Sequence, residues 1–241
     1  MKTSFAALFI AAYAFSISAS AGNVQIQVLD RDGKPVPDAV VVLYPAAGAA
    51  PAGSLLQAAP TIEQERMRFV PALTVVAPGT RIRFTNQDRW DHHVRGTPVA
   101  AAGQATAVTN EGFEMRLAGK QDGQPAQTAD VTLQHPGVVL LGCHLHGSMR
   151  GHVFVTDSGW TLKTDENGIA RFAAVPDGAA QLRVWHAEQL VDLPRKSLQV
   201  QPTPVLETMQ LSVVPRPRRP APAAPSVPAG SSGGAAPHMH Y

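Results

Sequence analysis

Apolar and polar residues alternate in short runs along most of this chain, and turn-forming residues close each run before a helical stripe can develop. The period is plainest in "TRIRFTN" (80–86). Arg81 and Arg83 fall on one side and Ile82 and Phe84 on the other, as in a strand with one buried face. The same reading predicts strands over 24–29, 40–44, 73–76, 81–85, 130–133, 138–141, 152–155, 171–173 and 182–185. "DRDGKP", "APGT", "HPG", "TDENG" and "VPDG" supply the turns between them, with Gly for left-handed backbone and Asp for local side-chain caps. No long amphipathic helical pattern competes. The expected fold class is all-β, of the sandwich kind.

Composition then divides the chain. Lys2 precedes an apolar stretch over 5–17 and then "SASAG", where Ala19 and Ala21 suit a signal peptidase. A signal peptide over 1–21 is expected, cleaved after Ala21. The stretch is short for a membrane anchor, and no later segment is apolar for long enough to span a bilayer. These features imply an exported, periplasmic protein without stable membrane insertion. From Pro215 onward proline, alanine, glycine and serine dominate, so 214–241 is expected to be a disordered tail; "AAGAAPAGSLLQAAP" (46–60) reads as a shorter linker. The formal charge of +2 falls to +1 when Lys2 leaves with the signal peptide, which gives no electrostatic case for nucleic acid or anionic lipid.

The single cysteine, Cys143, changes the picture more than the charge does. In an oxidising compartment it has no partner for an internal disulfide, so it is buried, paired between chains or reserved for chemistry. "GCHLHGSM" places a thiolate (Cys143), an imidazole (His146) and a thioether (Met149) within seven residues. Soft sulfur with imidazole selects copper, and two His, one Cys and a weak axial Met make a blue-copper electron-transfer site. The second imidazole must come from elsewhere, and "FTNQDRWDHHV" offers His92 and His93. If the strand continues they point to opposite faces, so His93 is either the alternative ligand or a surface residue. His144 alternates out of the pocket, and His152 and His186 read as structural. Trp90 either shields the site or fills a loop. The terminal "HMHY" (His238, Met239, His240) is either a transient copper collector or the chance end of a tail.

Over about 61–157 the chain resembles the cupredoxins, the plastocyanin and azurin superfamily. "FVPALTVVAPGTRIRFTNQDRWDHHV" is similar to the cupredoxin entry, in which a strand, a Pro-Gly turn and "F-x-N-x-D" lead to the first histidine, six positions after the asparagine; Asn86 and His92 keep that spacing. "PGVVLLGCHLHGSM" resembles the second half, a strand ending in Cys, His and Met. The likeness is nearest to periplasmic cupredoxin-like proteins labelled methylamine utilization proteins. It implies a Greek-key β-sandwich holding one copper ion, with His92, Cys143 and His146 equatorial and Met149 axial. Two residues separate His146 from Met149, where plastocyanin has four and azurin three, so the axial bond, and with it colour and potential, is the open point. The flanks, "VQIQVLDRDGKPVPDAVVVL" and "LKTDENGIARFAAVPDGAAQLRVWH", resemble a small transthyretin-like or carboxypeptidase-regulatory-like β-sandwich. One arrangement joins 22–45 and 159–213 into that domain, with the copper domain inserted; the other gives 24–44 to the cupredoxin.

The function so implied is a mononuclear type 1-like copper protein carrying single electrons between redox partner proteins. Alternatives are a copper chaperone or resistance protein without redox turnover, and a metal-free module binding glycan or protein. An enzyme is not expected, because four protein ligands leave no open position for substrate.

Overall fold

A computed structural model describes residues 21–46, 56, 58–99 and 110–216. The expected signal segment up to residue 20, most of the 46–60 linker and the tail from 217, with His238, Met239 and His240, lie outside these residues. Every regular element described is a strand, so the chain is all-β; no described helix is long and apolar enough to cross a membrane. In chain order the strands are β1 (Ala21–Leu29), β2 (Val40–Pro45), β3 (Thr61–Gln64), β4 (Phe69–Val70), β5 (Leu73–Val76), β6 (Arg81–Asn86), β7 (His92–Val99) and β8 (Phe113–Leu117). They continue with β9 (Thr128–Thr132), β10 (Gly137–Cys143), β11 (Arg150–Val155), β12 (Thr161–Lys163), β13 (Ile169–Pro176), β14 (Gly178–Trp185), β15 (Lys196–Val200) and β16 (Val205–Gln210).

These strands make four sheets, in the orders β13-β1-β16, β12-β2-β14-β15, β5-β11-β10-β7-β8 and β4-β3-β6-β9. The first two enclose one core, built from inward positions such as Val24, Ile26 and Val28 of β1, Val41 and Leu43 of β2 and Phe172 of β13. The other two enclose a second core with Ile62, Ile82, Phe84, Val94, Leu141 and Val153. Period-two alternation explains both, because each strand sends every other side chain inward. "TRIRFTN" behaves as its pattern predicts: Ile82 and Phe84 are fully buried, and Arg81 and Arg83 face out, where both pair with Asp130.

Strand β2 departs from alternation for a physical reason. Val40, Val41, Val42 and Leu43 are all buried. Val41 and Leu43 enter the first core, whereas Val40 and Val42 pack with Leu73, Phe154 and Trp185 in a third apolar cluster between the two sandwiches. A continuous apolar run is what a strand covered on both faces requires. The Phe154 and Trp185 rings lie 5.4 Å apart there, and Tyr44 donates its hydroxyl to Asp157 at 2.7 Å.

Two turns carry out the chemistry expected of them. Asp30 Oδ1 accepts from the backbone N–H of Asp32 and Lys34, and Asp165 Oδ1 accepts from Asn167 and Ile169. Gly168 adopts φ +71°, and a Cβ there would press on Val28 O, so the "DENG" turn needs glycine. The β3–β4 turn is less ordinary. Glu65 and Arg68 exchange both backbone hydrogen bonds, and the central residues Arg66 and Met67 have φ of 52° and 55°. This is hairpin backbone that normally calls for Asn-Gly.

Candidate metal centre

The site lies at one end of the sheet containing β7 and β10. These strands run antiparallel, with Cys143 opposite Val94, so the first residue of β7, His92, and the last of β10, Cys143, fall at the same end. The ladder continues one step, with His144 N–H donating to His93 O at 3.0 Å. Beyond it the chain turns tightly, Met149 N–H donating to His146 O at 3.0 Å, before β11 begins. That turn brings His146 back over Cys143. Pleating sends His92 inward and His93 outward.

Three donor atoms converge there. Cys143 Sγ lies 3.6 Å from His92 Nδ1 and 3.6 Å from His146 Nδ1, and the two nitrogens are 3.2 Å apart. A point equidistant from the three lies about 2 Å from each. That matches a metal–imidazole bond of about 2.0–2.1 Å and falls a little short of a metal–thiolate bond of about 2.3 Å. One thiol sulfur and two imidazole nitrogens converging at this spacing are a soft-to-borderline donor set, and its chemistry fits a small metal ion. His92 is fully buried and Cys143 is 5% exposed, while His146 is only partly covered and forms the edge toward solvent. Met149, one turn beyond His146, is buried in the same apolar cluster as Cys143.

The loop behind His92 is held by buried polar groups. Asn86, the fully buried end of β6, accepts from Asp88 N–H through Oδ1 and donates through Nδ2 to the carbonyls of Trp90, Leu117 and Ala118 at 2.8–3.1 Å. Asp88 is thereby aimed inward. Its Oδ1 accepts from Arg66 N–H, and its Oδ2 accepts from Met67 N–H at 2.8 Å and from His92 Nε2 at 2.9 Å. Because a carboxylate only accepts, His92 carries its proton on Nε2, and Nδ1 presents a lone pair to the site. The same carboxylate also satisfies the two central N–H groups of the β3–β4 turn, which explains why that turn tolerates Arg66 and Met67.

Of the residues singled out from the sequence, His92, Cys143 and His146 come together, with Met149 beside the turn that carries His146. His93 does not join them. It faces the outer surface, with Nε2 3.3 Å from Glu114 Oε2, and His144 Nε2 lies 3.2 Å from Glu114 Oε1. Hydrogen bonding from His144 holds the Glu114 carboxyl below its usual range, with the charges of both histidines and Arg95 adding to the effect. Trp90 is 55% exposed and contributes its backbone carbonyl to Asn86. His152 packs edge-on against Trp185 at 5.6 Å between the two sandwiches. The sequence reading used Asn86 and Asp88 only as marks of the F-x-N-x-D pattern, with no part in holding His92, and assigned nothing to Glu114. Asn86 and Asp88 had a visible signal, polar residues at the end of a strand and two positions beyond it, six and four positions before His92. Glu114 had none.

No family model matches the chain, and no curated protein matches it. Among solved structures it is similar to a copper-containing nitrite reductase from Thermus scotoductus SA-01, with 20% identity over 47% of this chain and a TM-score of 0.33. The match spans a quarter (25%) of that enzyme's length. It is also similar to amicyanin in two mutant forms. An oxidised mutant with a proline replaced by glycine is 21% identical over 48% of this chain and 98% of amicyanin, with a TM-score of 0.32. A Cu(I) mutant with a methionine replaced by glutamine is 17% identical over 49% of this chain and 99% of amicyanin, with a TM-score of 0.31.

Proposed function

We infer that His92, Cys143 and His146 hold one copper ion, with Met149 as a weaker fourth donor, and that the chain carries single electrons between redox partners in an exported compartment. The observation that carries this reading is the convergence of one thiol sulfur and two imidazole Nδ1 atoms within 3.2–3.6 Å. Sulfur and imidazole together favour copper over the harder cations, which prefer oxygen. Copper, when bound, supplies a one-electron couple.

The protein's own part is to hold the donors still and keep them dry. His92 is fixed through Asp88, Cys143 by its place at the end of a paired strand, and His146 by the turn that Met149 N–H closes. Donors held this way move little when charge changes, which suits transfer better than storage. His146 is the one partly exposed donor, so an incoming partner would meet the site at its ring. Four protein donors leave no position for a substrate, and we therefore read the chain as a carrier and not an enzyme. Voltammetry of the copper-loaded chain tests this. A reversible one-electron wave with fast exchange supports the carrier; retention of Cu(I), released only to a copper acceptor, would instead favour a delivery protein.

A further inference from the structure

The outer face of the same sheet holds a second cluster with donor chemistry. His93 lies in β7 and Glu114 in β8, while His144 is the first residue after β10; these are three adjacent strands of one sheet. Register puts Arg95 opposite Glu114 and Arg116 opposite His93, so Glu114 sits diagonally from His93 on the same face. On the other side, the backbone bond from His144 to His93 brings the two imidazoles to a centroid separation of 4.8 Å. Glu114 offers one carboxylate oxygen to each ring, and the three donor atoms all lie within 4.8 Å of one another.

We propose that His93, Glu114 and His144 form a second metal site, for a divalent first-row ion, with copper(II) bound most tightly. The donor set is two imidazoles and one carboxylate with no sulfur, which suits a divalent ion and gives Cu(I) little hold. Copper(II) heads the series because affinity for nitrogen and oxygen donors rises from manganese to copper and falls again at zinc. All three side chains are at least partly exposed, so water completes the coordination and the ion exchanges with solvent. Arg116 on this face is engaged with Asp91 at 2.8 Å, which removes part of the positive charge an incoming cation would meet. The site does not depend on what the buried trio holds. It is nevertheless joined to it, because His93 follows His92 and His144 follows Cys143 in the chain.

The test is a copper(II) titration of the full-length chain followed by electron paramagnetic resonance. A second equivalent is expected, with a tetragonal signal coupled to two nitrogens, distinct from that of a thiolate-bound ion. Glu114→Gln and His144→Ala, both at exposed positions, are expected to weaken this second equivalent tenfold or more; changing a residue that only orients a ligand already costs about that much. Replacing His238 and His240 by alanine is expected to leave it unchanged. Cys143→Ser is expected to keep it while altering the first equivalent, so failure at the buried site and failure here can be told apart. Absence of a second equivalent would overturn the proposal. So would a second equivalent that survives both Glu114→Gln and His144→Ala, or one lost with the tail histidines.

Discussion

Asp88 is where stability and metal binding meet, and Asp88→Asn separates their causes with almost no change in shape. The aspartate is 8% exposed and accepts three hydrogen bonds, from Arg66 N–H and Met67 N–H and from His92 Nε2. Asparagine keeps one acceptor oxygen and turns the other into a donor. If its oxygen faces Met67 and His92, its NH2 group meets Arg66 N–H. If it is reversed, NH2 meets both Met67 N–H and the protonated Nε2 of His92. The first arrangement is cheaper and leaves one part-buried pair of facing donors. Losing one bond to a charged acceptor and leaving a part-buried donor unpaired each cost about 1–3 kcal/mol. The β3–β4 turn also loses support for two residues in left-handed backbone, so a total of about 2–6 kcal/mol is expected. His92 keeps its tautomer in that arrangement but leans on a neutral acceptor, and metal affinity should fall about 10–100-fold. Urea denaturation of the metal-free chain measures the first quantity, and competition against a chelator of known copper affinity measures the second. If Asp88→Asn is as stable as wild type and binds copper equally well, Asp88 does not govern His92.

Three further outcomes follow from the same geometry. Met67→Gly relieves left-handed backbone at an exposed turn position (44% exposed) and should raise stability by about 0.5–1 kcal/mol; a loss on urea denaturation would mean the Met67 side chain contributes packing. Gly119→Ala would place a Cβ against the Arg89 carbonyl, pushing away the segment that Asn86 and Asp91 tie down; both stability and copper affinity should drop, and an unchanged affinity would show that the 88–91 loop shifts without moving His92. His152 titrates near 4 in place of 6.5, chiefly because burial disfavours its charged form, with His186 adding repulsion. The unfolded chain therefore binds a proton that the folded chain refuses between these values. Its contribution is complete above pH 6.5 and disappears as pH falls toward 4, at most about 3 kcal/mol. Melting curves of metal-free wild type and His152→Gln should diverge between about pH 7 and pH 4.5, the wild type losing more; parallel curves would contradict this.

Much of the fold could be read from the chain because burial here is one-sided. Segments 24–29 and 81–85 alternate and 138–141 is a short apolar run, and each lies within an observed strand. The continuous "VVVL" was legible as a strand, but not as one covered on both faces, since its outer cover, Phe154 and Trp185, comes from more than a hundred residues away. β7 was hidden by Gly96 and Pro98 inside "HHVRGTPV", and β8 is a short five-residue run. The parallel pairing of β1 with β16, Val24 opposite Val205, left no local trace. At the site, the opposite facing of His92 and His93 followed from pleating alone. The part played by Asp88 did not, because its meaning depends on a hairpin about twenty residues earlier whose turn lacks the usual Asn-Gly. Glu114 was invisible for a similar reason: a lone glutamate in a short strand acquires two histidine partners only through sheet register.

The central claim is that Cys143 and the two imidazoles bind one copper ion together, and the absorption spectrum of the copper(II)-loaded chain tests it most directly. An intense thiolate-to-copper band is expected in the wild type at one equivalent, lost in Cys143→Ser and strongly perturbed in His92→Ala, while His93→Ala leaves it in place. A spectrum with no such band, or one that Cys143→Ser does not change, would contradict the account.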